Sequence, residues 1–174
     1  IGGITSGLLS SHDHTPFVVA IVAGGLVSGI IALVISMPFL RLQGFYLAIA
    51  TLGFGEVARV IVINTEALGG SLGLRGVPLH TSPWYTFAIL LLLAYVLNYL
   101  FRSPLGTILK AIRDNEIAVE ASGINVAWYK LLTVAVGASI AGIGGGFFIH
   151  YVGVLDPRTL GFHRSIEILL YVVL

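Results

Sequence analysis

The chain has 174 residues, 57% hydrophobic and only 10% charged, with nine Lys and Arg against eight Asp and Glu, and a mean hydropathy of +1.00. Soluble domains carry about 25% charged residues, so this composition excludes an ordinary soluble domain and makes lipid the solvent for much of the surface. A net charge of +1 gives no electrostatic grip on nucleic acid, and zero cysteines exclude disulfides and thiolate metal sites.

Phe17 to Leu40 is a 24-residue run without a charge, and a spanning helix needs about 20 residues. Pro16 stands at its start, where a missing N–H costs nothing, and Pro38 lies near its end. Gly25 and Gly29 are four apart, which puts small residues on one helical face. A second expected span, Phe45 to Ile63, contains Glu56 and Arg59. Ionised side chains near the bilayer centre cost at least ~2.5 kcal/mol each. A spacing of three lets Glu56 and Arg59 pair on one face. Gly53 and Gly55 weaken the helix just before them, so a break is expected there. Broken helices often frame solute sites, and Thr51, Gly53, Gly55, Glu56 and Arg59 are therefore the candidate solute-path residues. A zwitterionic amino acid would complement the two charges; a structural ion pair between helices is the alternative.

A third span is expected over Trp84 to Phe101, with Trp84, Tyr85, Tyr95 and Tyr99 as interface anchors. A fourth covers Leu131 to Val152, where Gly137, Ala141 and Gly145, and likewise Ala138, Gly142 and Gly146, recur every four residues. Ile166 to Leu174 begins a fifth but offers only nine residues. With no initiating Met either, the chain reads as part of a longer membrane protein. The expected fold class is all-α, a polytopic transmembrane bundle of about four complete spans forming a single domain over 1–174. Exposed backbone polar groups cannot remain unpaired in lipid, and the alternation of a membrane barrel is absent.

Residues 102–130 are a polar island holding four of the nine basic and three of the eight acidic residues. Ser103 is placed to cap a helix that Pro104 would start. Leu105, Ile108, Leu109 and Ile112 form an apolar stripe at helical spacing. Lys110 and Asp114, four apart, suit an exposed ion pair. One amphipathic helix is expected from Pro104 to Ala121. Gly123 would stop it, and Asn125 would cap the helix that enters the fourth span. Such a helix fits the headgroup layer, or it offers a surface to a partner. Basic residues favour the cytoplasmic side. Strict alternation of spans puts Arg41, Arg102, Lys110, Arg113 and Lys130 on that side, and Arg75, Arg158 and Arg164 outside. His12–Pro16, Asn64–Pro83 and Gly153–His163 would then face outward. His12 and His14 flank Asp13, but two ligands and a carboxylate are weak grounds for a metal. Serines and histidines read as scattered, with no catalytic set.

Residues 111–125, AIRDNEIAVEASGIN, resemble the coupling loop of the LivM-type permeases of branched-chain amino acid ABC importers. Ala111, Arg113, Asn115, Ala118, Gly123, Ile124 and Asn125 occupy the matching places, while Val119 replaces a frequent alanine. Residues 40–60 resemble a second block of that family, followed by Gly73, Leu74, Arg75, Gly76, Val77 and Pro78, and residues 165–174 resemble the start of its next span. The resemblance implies a permease subunit in a bacterial inner membrane. Two cytoplasmic ATPase subunits would bind at Ala111, Arg113, Asn115, Glu116, Ala118, Gly123, Ile124 and Asn125. A second permease subunit and a periplasmic solute-binding protein would complete the system. No phosphate-cradling G-x-x-x-x-G-K-[ST] stands in the chain, so no cofactor is expected on it, and ATP and Mg would belong to the partners. Related permeases carry urea, amides and other small solutes. An ion-coupled transporter using Glu56, an intramembrane enzyme and a structural scaffold are the other classes left open.

Overall fold

The computed structural model describes residues 1–12, 15–39, 45–70, 73–75, 77, 82–155, 166–167 and 170–171. Seven α-helices account for most of them: α1 (Gly2–His12), α2 (Phe17–Phe39), α3 (Phe45–Asn64), α4 (Pro83–Arg102), α5 (Pro104–Asp114), α6 (Glu116–Ala121) and α7 (Val126–Val152). Two strands of two residues, β1 (Leu74–Arg75) and β2 (Val154–Leu155), pair antiparallel with Leu74 opposite Leu155. The all-helical expectation therefore holds apart from this small ladder. Its pairing brings the segments after α3 and after α7 to one end of the molecule, the end that sequence alternation assigns to the outside.

Among the described residues, α2, α4 from Trp84 and α7 are long and apolar enough to cross a membrane. Helix α3 matches α4 at 20 residues but carries Glu56 and Arg59 and is not among those three. Four expected complete spans are thus three qualifying helices and one charged helix of similar length. The run from Ile166 lies largely outside the described residues.

The centre of the fold is a three-helix packing of α1, α2 and α7, built on small residues. Helices α1 and α7 run parallel in register: Gly2 meets Gly142, Ser6 meets Gly146 and Ser10 meets His150. Helix α2 runs antiparallel to α7, with Phe17 beside Phe147 and His150, Ile21 beside Gly146, and Gly29 beside Ala135 and Ser139. Apolar surface alone does not drive helices together in lipid, so backbone approach and dispersion contacts must hold them. A Cβ placed on Gly142 would lie 2.7 Å from Ser28 Cβ and 3.0 Å from the Gly24 carbonyl oxygen. Only glycine allows that approach. Both small-residue stripes are used, one through Gly142 and Gly146 and the other through Gly145, which meets Gly3 of α1; Gly137, earlier on that second stripe, meets nothing within 4 Å.

Helix α1 was not foreseen. At 11 residues it is too short to cross a bilayer, which takes about 20, yet Ile4, Ser6 and Ser10 on it are buried. Ile4 joins Leu74, Val77 and Ile149 in an apolar cluster that seats the strand segment against α1 and α7. By contrast, α4 has no buried residue in its apolar window. Trp84, Tyr85, Tyr95 and Tyr99 are 81, 65, 71 and 72% exposed, as lipid-facing anchors would be.

Candidate functional site

The polar island folds as two helices, not one. Asn115 adopts an extended conformation (φ −157°, ψ 98°) that ends α5 and starts α6. Its Oδ1 accepts a hydrogen bond from the Ala118 N–H at 3.1 Å, satisfying one of the donors a helix start leaves free. A polar side chain able to cap outweighs continuation of the amphipathic stripe at this point. Ser103 does not cap α5 with its side chain; its hydroxyl donates to the Leu100 carbonyl at 2.6 Å and closes α4. Asp114 pairs with Arg113 at 3.3 Å and not with Lys110.

Gly123 takes φ +84°, a left-handed conformation that disfavours any side chain, and its N–H donates to the Glu120 carbonyl at 2.9 Å. Asn125 Oδ1 then accepts from the Trp128 N–H at 3.1 Å. That cap starts α7 at Val126, five residues before the expected Leu131. Ile112, Val119 and Val126 form a small apolar core beneath the island, with Ile108, Leu109, Ile124 and Tyr129 packed on it. Lys130 Nζ reaches Glu116 Oε1 at 2.6 Å and ties α6 to α7.

This arrangement sorts the eight residues expected at the coupling surface. Asn115, Gly123 and Asn125 shape the backbone, Ile124 faces the small core and Glu116 braces α6. Ala111, Arg113 and Ala118 are exposed, Arg113 in its surface pair with Asp114. Sequence reasoning passed over Ile117, which projects from α6 with 80% of its surface exposed. Its signal was an isoleucine within a polar run, off the stripe made by Ile108 and Ile112.

The five candidate solute-path residues are divided by α3. The helix runs unbroken through Gly53 and Gly55, so the expected break is not there; both glycines face open space and the backbone bonds of α3 do not need interrupting. Thr51, Gly55 and Arg59 share one face at helical spacing, with Phe54, Ala58 and Val62. Thr51 lines a cavity of about 630 Å³ together with Ser28 and Ser36. Gly55 and Arg59 line an adjoining cavity of about 580 Å³. Gly53 lies off this face. Glu56 does too, but its Oε2 stands 3.5 Å from Arg59 Nε, as the spacing of three required.

A further polar constellation escaped the sequence reading. His150 is fully buried, its Nδ1 is 2.8 Å from the Gly146 carbonyl, and its Nε2 is 2.9 Å from Ser10 Oγ. A carbonyl only accepts, so Nδ1 carries the proton and Nε2 receives one from the serine hydroxyl. Phe17 packs edge-on against the imidazole, with ring centroids 5.0 Å apart. Serines and histidines are thus not all scattered, since this pair joins α1 to α7. A backbone carbonyl stands where a catalytic triad would place a carboxylate, and both side chains are buried. The pair is a structural clasp. Its one sequence signal was the spacing of Gly2, Ser6 and Ser10, four apart on a single face. His12 ends α1, and Asp13 and His14 lie outside the described residues; no cluster of three potential metal ligands occurs among the described residues.

Apolar helices packed through small residues, with a polar two-helix excursion between the membrane-length α4 and α7, define a multi-pass membrane protein of the transport-permease class. The chain belongs to the family described as branched-chain amino acid transport system, permease component, whose model matches residues 1–174. It is 32% identical over 209 aligned residues to the high-affinity branched-chain amino acid transport system permease protein LivM of Salmonella typhimurium, and 31% identical to that of Escherichia coli. Each match covers 100% of this chain and 49% of the relative, so the chain spans about half the length of these relatives. A probable branched-chain amino acid transport permease protein LivM of Methanocaldococcus jannaschii is 28% identical over 145 residues, covering 77% of this chain and 42% of that protein. No solved structure matches the chain.

Proposed function

We propose that this chain is part of the membrane-spanning subunit of an ATP-driven importer for branched-chain amino acids in a bacterial inner membrane. In this reading a periplasmic binding protein delivers the solute. A second permease subunit completes the path, and two cytoplasmic ATPase subunits bind ATP and Mg and drive the cycle. The observation that carries the reading is the braced excursion α5–α6. Two side-chain caps, a left-handed glycine, an apolar core and an ion pair hold this short polar segment in one shape between two membrane-length helices. A segment that merely lay in the headgroups would not require Ile117 and Arg113 to stand clear of that core. An ATPase subunit needs a rigid ledge of this kind, since a soft one would absorb the motion it should transmit.

The test is reconstitution of the full-length permease in proteoliposomes with its partner permease, the two ATPases and the binding protein. Radiolabelled leucine should accumulate only when ATP is supplied on the ATPase side. Ile117→Asp should weaken co-purification of the ATPases and reduce coupled uptake. Uptake driven by an ion gradient without ATPases would overturn the importer reading. Uptake of urea or short amides in place of leucine would keep the class and replace the solute.

A further inference from the structure

We propose that the groove between α3 and the α1–α2 pair is the subsite for an amino-acid solute, with Arg59 receiving its carboxylate and the aliphatic wall its side chain. This rests on the solute class proposed above and locates where that solute sits.

The two cavities along α3 adjoin, sharing Ile1, Ile4, Ile31, Ile35 and Phe54. Each falls within the range of about 300–1,000 Å³ typical of small-molecule sites. Their walls are aliphatic, which suits a branched hydrocarbon side chain. Among the described residues, Arg59 is the one charged side chain lining either cavity. Its Nε is buried and makes no hydrogen bond among the described residues; Glu56 lies 3.5 Å from it, close enough for charge attraction. A guanidinium has five N–H donors in a planar fork that matches a carboxylate, so the pair with Glu56 leaves donor capacity for a second anion. A zwitterion brings no net charge into the groove. Its carboxylate would meet Arg59, the charged side chain that lines the groove, whereas Glu56 lines neither cavity and holds Arg59 from behind. An α-amino acid with a branched aliphatic side chain, the solute class proposed above, meets both the aliphatic wall and Arg59.

The experiment uses the complete importer in proteoliposomes, with radiolabelled leucine and phenylalanine as probes. Arg59→Gln should raise the half-saturating leucine concentration at least about tenfold, the loss expected when one partner of a desolvated charge pair is removed. Arg59→Lys should recover part of it. Ile35→Ala, which widens the wall without touching charge, should move the leucine-to-phenylalanine preference toward phenylalanine by about tenfold, as a hydrophobic pocket changed by a few methylenes does. A helix-packing role for Ile35 would lower both uptakes alike, and that result overturns the proposal. So does an unchanged preference in an Ile35→Ala protein that reaches the membrane at normal yield, or a photo-crosslinker at Ala58 that captures another helix of the permease in the groove. A wild-type protein that imports no leucine fails the solute reading itself, whereas wild-type uptake with indifferent variants fails only the subsite.

Discussion

Ser10 and His150 stand 140 residues apart in sequence and 2.9 Å apart in space. The bond closes the parallel packing of α1 on α7, and both partners are buried, Ser10 at 5% exposure and His150 at none. Removing the hydroxyl leaves an imidazole nitrogen buried without a partner, which costs about 1–3 kcal/mol. Ser10→Ala should accordingly lower the thermal midpoint of the detergent-solubilised permease. Ser11→Ala should barely move it, because that half-buried hydroxyl bonds only within its own helix, to the Leu8 carbonyl. Equal midpoints for the two variants would remove the clasp.

Two glycines on α7 should respond to the same substitution with opposite signs. At Gly142 a methyl group runs into Ser28 and Gly24, so Gly142→Ala should force α2 and α7 apart at a cost of about 1–3 kcal/mol. At Gly137 nothing lies within 4 Å, and Gly137→Ala should stabilise by up to ~1 kcal/mol through helix propensity. Membrane yield and thermal unfolding of the two variants read the difference directly.

The turn at Gly123 should tolerate little. A Cβ in the left-handed region costs about 1–2 kcal/mol, so Gly123→Ala should loosen α6 and the start of α7, and Gly123→Asn should do less harm. Asn115→Ala removes the α6 cap and should cost about 1 kcal/mol. Hydrogen exchange over residues 112–126 is the measurement. Both variants should exchange faster there, while α1 and α2 keep wild-type protection.

Replacing Glu56 by Gln removes the carboxylate beside Arg59 while keeping the side chain's size. Leucine uptake by the reconstituted importer should fall, with membrane yield preserved. Full uptake in that variant would assign the pair a packing role only.

Signals carried by consecutive residues were legible in the sequence. Long uncharged runs announced α2, α4 and α7, and the spacing of three announced the Glu56–Arg59 pair. Gly123 and Asn125 were readable because a left-handed turn and a helix cap are local devices. Asn115 is equally local, yet it was read as interior because the helix announced by Leu105, Ile108, Leu109 and Ile112 was carried on to the stop at Gly123. Helix α1 was hidden for another reason. Its stability comes from Gly142, Gly146 and His150, more than a hundred residues away, and a short uncharged stretch of Gly and Ser carries no strong periodic signal of its own. Gly53 and Gly55 misled in the opposite direction, since two glycines alone do not break a helix whose neighbouring residues propagate it.

Helix α7 begins at the Asn125 cap beside the α5–α6 ledge and ends two residues past His150. Its 27 residues make a single rod of about 40 Å at 1.5 Å per residue. A push delivered at the ledge therefore cannot stay there. Under the proposed docking the rod links the ledge to the far rim, where the imidazole is bonded to Ser10 of α1 and the backbone ladder at Leu155 joins the segment that follows α3.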